Sequence, residues 1–227
     1  RYALVGSGTQ TAGLGFGGGS NTIPGRANNS ESYNGSTWTD EPTMNTARSN
    51  LAGFGTSTAA IAATGFTTTA NTANVESYDG SSWTEIANVN TARRNGGNMG
   101  AGISTAGLVA GGDLGPALTG NTEEWNGSAW SEVNNCPTAI INSPAAAGVQ
   151  TAVMFMSGTS SSTYDGTNWI TSPAMANDFT EKGGAGTTSA ALGFGGKPPS
   201  SPTAYTNTTE EFTGDTSTAT GSTIDFD

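Results

Sequence analysis

The sequence predicts an all-β chain built from about five copies of a four-stranded unit. Three observations carry that expectation. A hairpin motif recurs at nearly even spacing, Gly- and Ala-rich strands precede each copy, and turn residues punctuate the chain roughly every 8 to 12 residues, the rhythm of short antiparallel strands. Of 227 residues only 33% are hydrophobic and 11% charged, while Gly supplies 34. So few large aliphatic side chains would suit a disordered chain, but disorder also calls for dense charge and few aromatics. Five Trp, five Tyr and eight Phe are enough anchors for a core if they recur in register.

They do recur. Four stretches align: Glu31-Ser32-Tyr33-Asn34-Gly35-Ser36-Thr37-Trp38-Thr39, Glu76-Ser77-Tyr78-Asp79-Gly80-Ser81-Ser82-Trp83-Thr84, Glu123-Glu124-Trp125-Asn126-Gly127-Ser128-Ala129-Trp130-Ser131 and Ser162-Thr163-Tyr164-Asp165-Gly166-Thr167-Asn168-Trp169-Ile170. A fifth, degenerate copy is Glu210-Glu211-Phe212-Thr213-Gly214. Trp38, Trp83, Trp130 and Trp169 follow one another at about 45, 47 and 39 residues, the repeat length of four-stranded propeller blades.

The elements of one unit follow in order. First comes a Gly/Ala segment such as Leu51-Ala52-Gly53-Phe54-Gly55-Thr56, suited to a crowded inner edge where backbones converge. A second small-residue strand ends in Gly, at residues 12–18, 59–65, 106–112, 151–158 and 190–196. The aromatic strand and the Trp strand then form a hairpin. Asn-Gly or Asp-Gly between them predicts a type I′ turn, because both central residues of that turn need positive φ. The Tyr and Trp rings are expected to fill the space between neighbouring sheets. A polar connector, Asn45-Thr46-Ala47-Arg48 and again Asn90-Thr91-Ala92-Arg93, leads to the next unit. The units span approximately 1–44, 45–89, 90–136, 137–176 and 177–227 of a single domain.

A Gly pair after a small apolar strand, then an aromatic, a turn, a Trp and an Arg opening the next unit resembles the kelch repeat. The resemblance covers essentially the whole chain and implies a β-propeller of about five four-stranded blades. The pattern is broken in places. Gly65 and Gly158 stand singly, Pro137-Thr138-Ala139-Ile140 replaces the third connector, and the fifth copy has no Trp, with Ile224-Asp225-Phe226 expected as its replacement strand. Propellers typically hold about 4 to 8 blades, so a closed five-blade ring and a larger ring cut short are both open readings. The chain begins at Arg1, in a strand-like stretch, and reads as a piece of a larger protein.

A narrower resemblance is one of style. Strands of the Gly-Thr-x-Thr-Ala-Ala type with Tyr-Asp-Gly-Ser-Ser-Trp-Thr hairpins look like the Thr/Gly/Ala-rich kelch-like repeats of marine bacteriophage structural proteins. That resemblance implies a virion fibre or surface appendage. The acidic balance, 18 Asp and Glu against 7 Lys and Arg, fits a high-salt medium that screens self-repulsion.

Charge and residue types narrow the function classes. A net charge of −11 with no Lys/Arg stripe argues against nucleic acid. No apolar run is long enough to cross a bilayer as a helix, and no signal peptide opens the sequence. The absence of His removes imidazole-based triads, zinc hydrolases and the His-ligated copper of kelch-type oxidases. Ser77-Tyr78-Asp79-Gly80-Ser81-Ser82-Trp83 is one residue short of the sialidase box, and five scattered Arg make no carboxylate-binding cluster. Glu123-Glu124 and Glu210-Glu211 are adjacent on strands and point to opposite faces. They, like Glu31 and Glu76, read as a solvated blade edge.

Neither Asp113 nor Asp215 lies in a cluster dense enough for calcium, so no catalytic, cofactor or metal site is expected. Cys136 is alone and reads as a small residue in a blade connection. Arg48 and Arg93 read as ties between blades through carbonyls or carboxylates. The sequons at Asn28, Asn34, Asn126 and Asn207 mostly fall out of Asn-Gly-Ser turns.

What differs between units is the loops at 21–29, 113–121 and 197–207, where Asp113 and Tyr205 are the candidate ligand residues. The expectation is a non-enzymatic adhesion domain at a virion surface or outside the cell, binding host surface polysaccharide. Its partners would be other virion or fibre proteins, or further copies in a homo-oligomer. A purely structural decoration or spacer domain, or a bacterial extracellular adhesin or filament subunit, remains the alternative.

Overall fold

The computed structural model describes residues 2–20, 25–94, 99–115, 117–137, 145–199, 205–214 and 216–218. Every described element is a strand, and five four-stranded antiparallel sheets are arranged as a five-blade β-propeller. Blade 1 contains β1 (Val5–Thr9), β2 (Ala12–Phe16), a small ribbon of β3 (Gly19–Ser20) and β4 (Gly25–Arg26), then β5 (Ser30–Tyr33) and β6 (Trp38–Glu41). Blade 2 is β7 (Ala52–Gly55), β8 (Ala60–Ala63), β9 (Val75–Tyr78) and β10 (Trp83–Ile86). Blade 3 is β11 (Gly100–Ile103), β12 (Ala106–Asp113), β13 (Leu118–Trp125) and β14 (Trp130–Val133). Blade 4 is β15 (Ala145–Val149), β16 (Ala152–Ser157), β17 (Ser160–Tyr164) and β18 (Trp169–Ser172). Blade 5 is β19 (Gly183–Gly186), β20 (Ala191–Phe194), β21 (Thr209–Thr213) and β22 (Thr216–Thr218). Ile224-Asp225-Phe226 lies outside the described residues, and the strand paired with Phe212 is β22.

The inner strands β1, β7, β11, β15 and β19 are the Gly/Ala-rich ones, and each packs beside the next. Each returns through the same tight hairpin, Gly-x-x-Thr/Ser-Ala, with Gly8, Gly55, Gly102, Gly148 and Gly186 all at positive φ. A Cβ on any of these would run into the carbonyl of the Ala that closes the motif, Ala12, Ala59, Ala106, Ala152 or Ala190. Only Gly fits there.

The outer hairpin corrects the expected turn. Tyr33 pairs with Trp38, and the Asn34 N–H donates to the Thr37 carbonyl, so the two-residue loop is Gly35-Ser36. Gly35 has φ 95° and Asn34 is not at positive φ, the signature of a Gly-first II′ turn. The side chain of Asn34 explains the shift. Its Oδ1 accepts from the Ser36 and Thr37 N–H groups at 3.0 and 2.9 Å. Asp79, Asn126 and Asp165 do the same in their blades.

Cross-strand aromatic pairs cap the outer hairpins of blades 1 to 4, while in blade 5 Phe212 faces Ser217. Ring centroids are 5.1 Å apart for Tyr33–Trp38, Tyr78–Trp83 and Tyr164–Trp169, and 5.3 Å for Trp125–Trp130. Three of these pairs pack against the preceding blade. Trp83 lies on Phe16 at 5.1 Å and donates its indole N–H to Ser30 Oγ, and Trp130 meets Phe54 edge-on and donates to the Ala87 carbonyl. Trp169 donates to the Asn134 carbonyl. Burying one such aromatic removes roughly 150–250 Å² from water, about 4–6 kcal/mol before ordering costs at ~25 cal/mol per Å². Trp38 departs from the expectation that every ring is sandwiched between sheets: it is 62% exposed, whereas Trp83 is 6% exposed.

Candidate functional site

The antiparallel meander sorts the loops by end. At one end lie the β1–β2 and β5–β6 hairpins and their equivalents, the inner ones alike in all five blades and the outer ones alike in blades 1 to 4. Thr11, Thr58, Thr105 and Thr151 there sit beside Gly35, Gly80, Gly127 and Gly166. At the other end lie the connectors and the long loops between the second and third strands. Isolated bridges Tyr2–Gly19, Ser49–Phe66, Arg94–Asp113 and Thr180–Lys197 tie the segment entering blades 1, 2, 3 and 5 to the long loop of the same blade, and Gly158–Phe179 ties the loop of blade 4 to the connector into blade 5. The described parts of all three irregular loops, 21–29, 113–121 and 197–207, therefore open at this second end.

The charged groups below that end are buried and spent on structure. Glu76 and Glu123 are fully buried and Glu210 nearly so. This corrects the reading of these three as a solvated edge, while Glu211 is exposed and Glu31 and Glu124 are half-buried. The Glu76 carboxylate accepts from the Asn45 and Thr46 N–H groups at 2.6 and 3.2 Å and from Arg48 Nη1 at 2.8 Å. Arg48 Nη2 reaches the Ala62 carbonyl at 3.0 Å. Glu123 repeats the arrangement with Asn90, Thr91 and Arg93, the last at 2.7 Å. Each connector is thus clamped by a carboxylate from the third strand of the blade it enters. Burial lowers the pKa of Arg48 and of Arg93, their partner carboxylates opposing it, yet a guanidinium stays charged.

Blade 5 uses a looser version. Glu210 accepts from the Asn177 N–H at 2.6 Å while Lys182 Nζ stands 3.6 Å away. In blade 4 the carboxylate position is Ser162, and the connector that would face it carries Pro137 and Ile140 in place of Asn and Arg. Residues 138–140 lie outside the described part. Both halves of the clamp are lost together in the sequence.

The candidate ligand residues separate. Asp113 is held by Arg94, Nε at 2.8 Å and Nη2 at 2.6 Å, and by the Gly115 N–H at 2.6 Å. Burial works to raise its carboxyl, but the Gly115 N–H and Arg94 outweigh it and the net shift is downward. Asp113 is a strut. Arg94 and Arg26 stack on Phe66, 5.0 and 5.2 Å from the ring centroid. Tyr205 is 71% exposed, its hydroxyl near Glu181 Oε2 at 3.5 Å. Asp215 lies outside the described residues. Cys136 is buried in the third junction, and burial pushes its thiol up to about 12.

One cleft opens at the irregular end, between blades 4 and 5, with a volume of about 450 Å³. Ser157, Thr159, Ser160 and Thr180 line it with hydroxyls, Asp178 adds a carboxylate, and Pro199 comes from the irregular loop that also carries Tyr205. Sequence reasoning singled out that loop but not the Ser157–Ser160 side, whose only signal is the lone Gly158 where blades 1, 3 and 5 have a pair. Among the described residues no three of Cys, Asp or Glu come together as a metal site. No protein-family model matches the chain. No curated protein is significantly similar to it.

Proposed function

We propose that this chain is a non-enzymatic propeller domain of a virion fibre or surface appendage that binds host cell-surface polysaccharide through its irregular end. The observation that carries the reading is the segregation of variety. Four blades share one hairpin chemistry at one end, while every irregular loop opens at the other, beside a hydroxyl-lined cleft. Loops held on a rigid scaffold are where binding specificity is placed. A cleft of Ser and Thr hydroxyls with one carboxylate and a nearby exposed Tyr offers a sugar both hydrogen bonds and a stacking face. The Thr/Gly/Ala-rich style of the kelch-like repeats supports the virion setting.

The test is binding of the labelled chain to marine bacterial cells and their extracted polysaccharides. Tyr205→Ala and Asp178→Ala are expected to weaken saturable binding at least tenfold, about 1.4 kcal/mol or more. Thr11→Ala and Ser36→Ala, at the uniform end, are expected to leave it unchanged. Binding that survives both changes at the irregular end excludes this cleft. A scaffold or spacer role is the second reading, favoured by the exposed face of blade 1 around Trp38.

A further inference from the structure

The apolar clusters and the tryptophans together mark one uncovered surface. Four clusters each span one junction, joining blades 1 and 2, 2 and 3, 3 and 4, and 4 and 5. Among the described residues no cluster joins blade 5 to blade 1.

Equivalent positions show what that fifth junction would be made of. The leading face of blade 1 carries Leu14 and Phe16, fully buried under blade 2, where Phe16 seats Trp83. Residues 190–196 repeat residues 12–18 almost letter for letter, so Leu192 and Phe194 occupy those two positions in blade 5. Both are only half-buried.

The trailing face of blade 1 carries Tyr33 and Trp38, the counterparts of Tyr78 and Trp83. Trp38 is 62% exposed, with Leu4 at 42% and Tyr2 at 47%. Leu4 and the Trp38 ring lie 3.4 and 3.8 Å from where a Cβ on Gly15 would sit, so the patch is continuous. Trp83, Trp130 and Trp169 each donate an indole N–H to the preceding blade. The Trp38 indole has no such partner among the described residues. Among the described residues, blades 5 and 1 thus present the two halves of a blade junction, unjoined.

We propose that the trailing face of blade 1 is an interaction surface for a second copy of this chain, which seats the leading face of its blade 5 on Trp38. The occupant is named by continuity with the junctions already formed. What covers a Trp at this position is a strand presenting Leu-x-Phe, and blade 5 presents that pair. The two halves differ, so the contact is heterologous and repeats head to tail into a ring or filament. Copies carrying −11 each repel one another, and the contact is apolar. Added salt therefore strengthens the association, because it screens the repulsion and leaves the burial intact.

Sedimentation of the full chain from micromolar to submillimolar concentration, in about 0.1 M and about 1 M salt, tests this. The expected result is a mass rising from 22.7 kDa in whole multiples, more readily at high salt. Trp38→Glu and Phe194→Glu are each expected to remain monomeric alone. Mixed, they are expected to form a capped heterodimer and nothing larger, because each supplies the half that the other lacks. Phe194 also packs on Gly183, so Leu192→Glu provides a second lesion of the same face. A wild-type chain that stays monomeric at every concentration overturns the proposal, including the case where its own blade 5 shields Trp38 from iodide quenching. Assembly of Trp38→Glu to the wild-type extent overturns it too.

Discussion

The junction between blades 1 and 2 and the one between blades 3 and 4 solve the same packing problem in opposite ways. In the first, Glu76 and Arg48 are fully buried and hold a connector, while the second strand offers only Ala60 and Ala62 to the neighbour. In the other, Ser162 replaces the carboxylate and Val153 and Phe155 stand where the two alanines were. Volume rises where charge disappears. A buried ion pair is therefore one route to a tight junction here and not a requirement, in line with the small net worth of such pairs once desolvation is counted. The clamp fixes where a connector enters. The apolar version leaves that to packing.

The largest expected effect breaks the first junction while leaving the other alone. Arg48→Ala strands the Glu76 carboxylate in the core and is expected to cost about 3–5 kcal/mol, read as a lower urea midpoint. A loss below about 1 kcal/mol, the scale of an exposed pair, would mean that Asn45 and the connector N–H groups satisfy Glu76 alone. Converting the whole clamp to the blade 4 pattern, Arg48→Ile with Glu76→Ser, is expected to cost less than Arg48→Ala by itself. The coupling between the two positions should be about 1–3 kcal/mol. Strict additivity of the single changes would sink the idea that the two sites are lost as a unit.

The smallest effect separates blades by the acid in their turns. Asp79 holds its hairpin where Asn34 holds the first, and hydrogen bonds from Ser81, then Ser82, bring its carboxyl down to about 2. A depressed carboxyl contributes stability that is present above its unfolded pKa of about 3.9 and is lost as pH falls toward 2. Amide exchange at Ser81 and Ser82, taken relative to the intrinsic rate at each pH, is expected to speed up over that window. Exchange at Ser36 and Thr37 should change only with general acid effects, since Asn34 does not titrate. Equal acceleration in both hairpins would show that the turn carboxylate is irrelevant.

Much of the architecture was legible from spacing. Tyr33 opposite Trp38, and the Gly/Ala segments as inner strands, follow from period and residue size, which act locally. The misread features depend on partners distant in sequence. Asn-Gly suggests a type I′ turn until the Asn side chain is seen capping the next two N–H groups. Glu76 looks like an edge carboxylate because its ligands lie about 30 residues upstream, on a connector it meets only after two blades pack. A hint was present: Glu and Arg vanish from the same unit. Asp113 seemed a loop carboxylate for the same reason, its Arg94 partner being 19 residues away. The cleft was half legible, because loop irregularity pointed to the Pro199 side, while the lone Gly158, shared in kind with Gly65, did not single out Ser157 to Ser160.

Each four-stranded sheet takes its strands from one blade, consecutive except where the β3–β4 ribbon interrupts blade 1, and among the described residues no ladder reaches beyond its own blade. For folding this means low contact order. The loops to be closed are no longer than one repeat, so closure entropy stays small and the search stays local. Such a chain behaves as a linear array of near-independent units coupled to nearest neighbours. Its folding rate is then set by one blade, whatever the number of blades, and a unit can be duplicated or deleted without re-solving the rest.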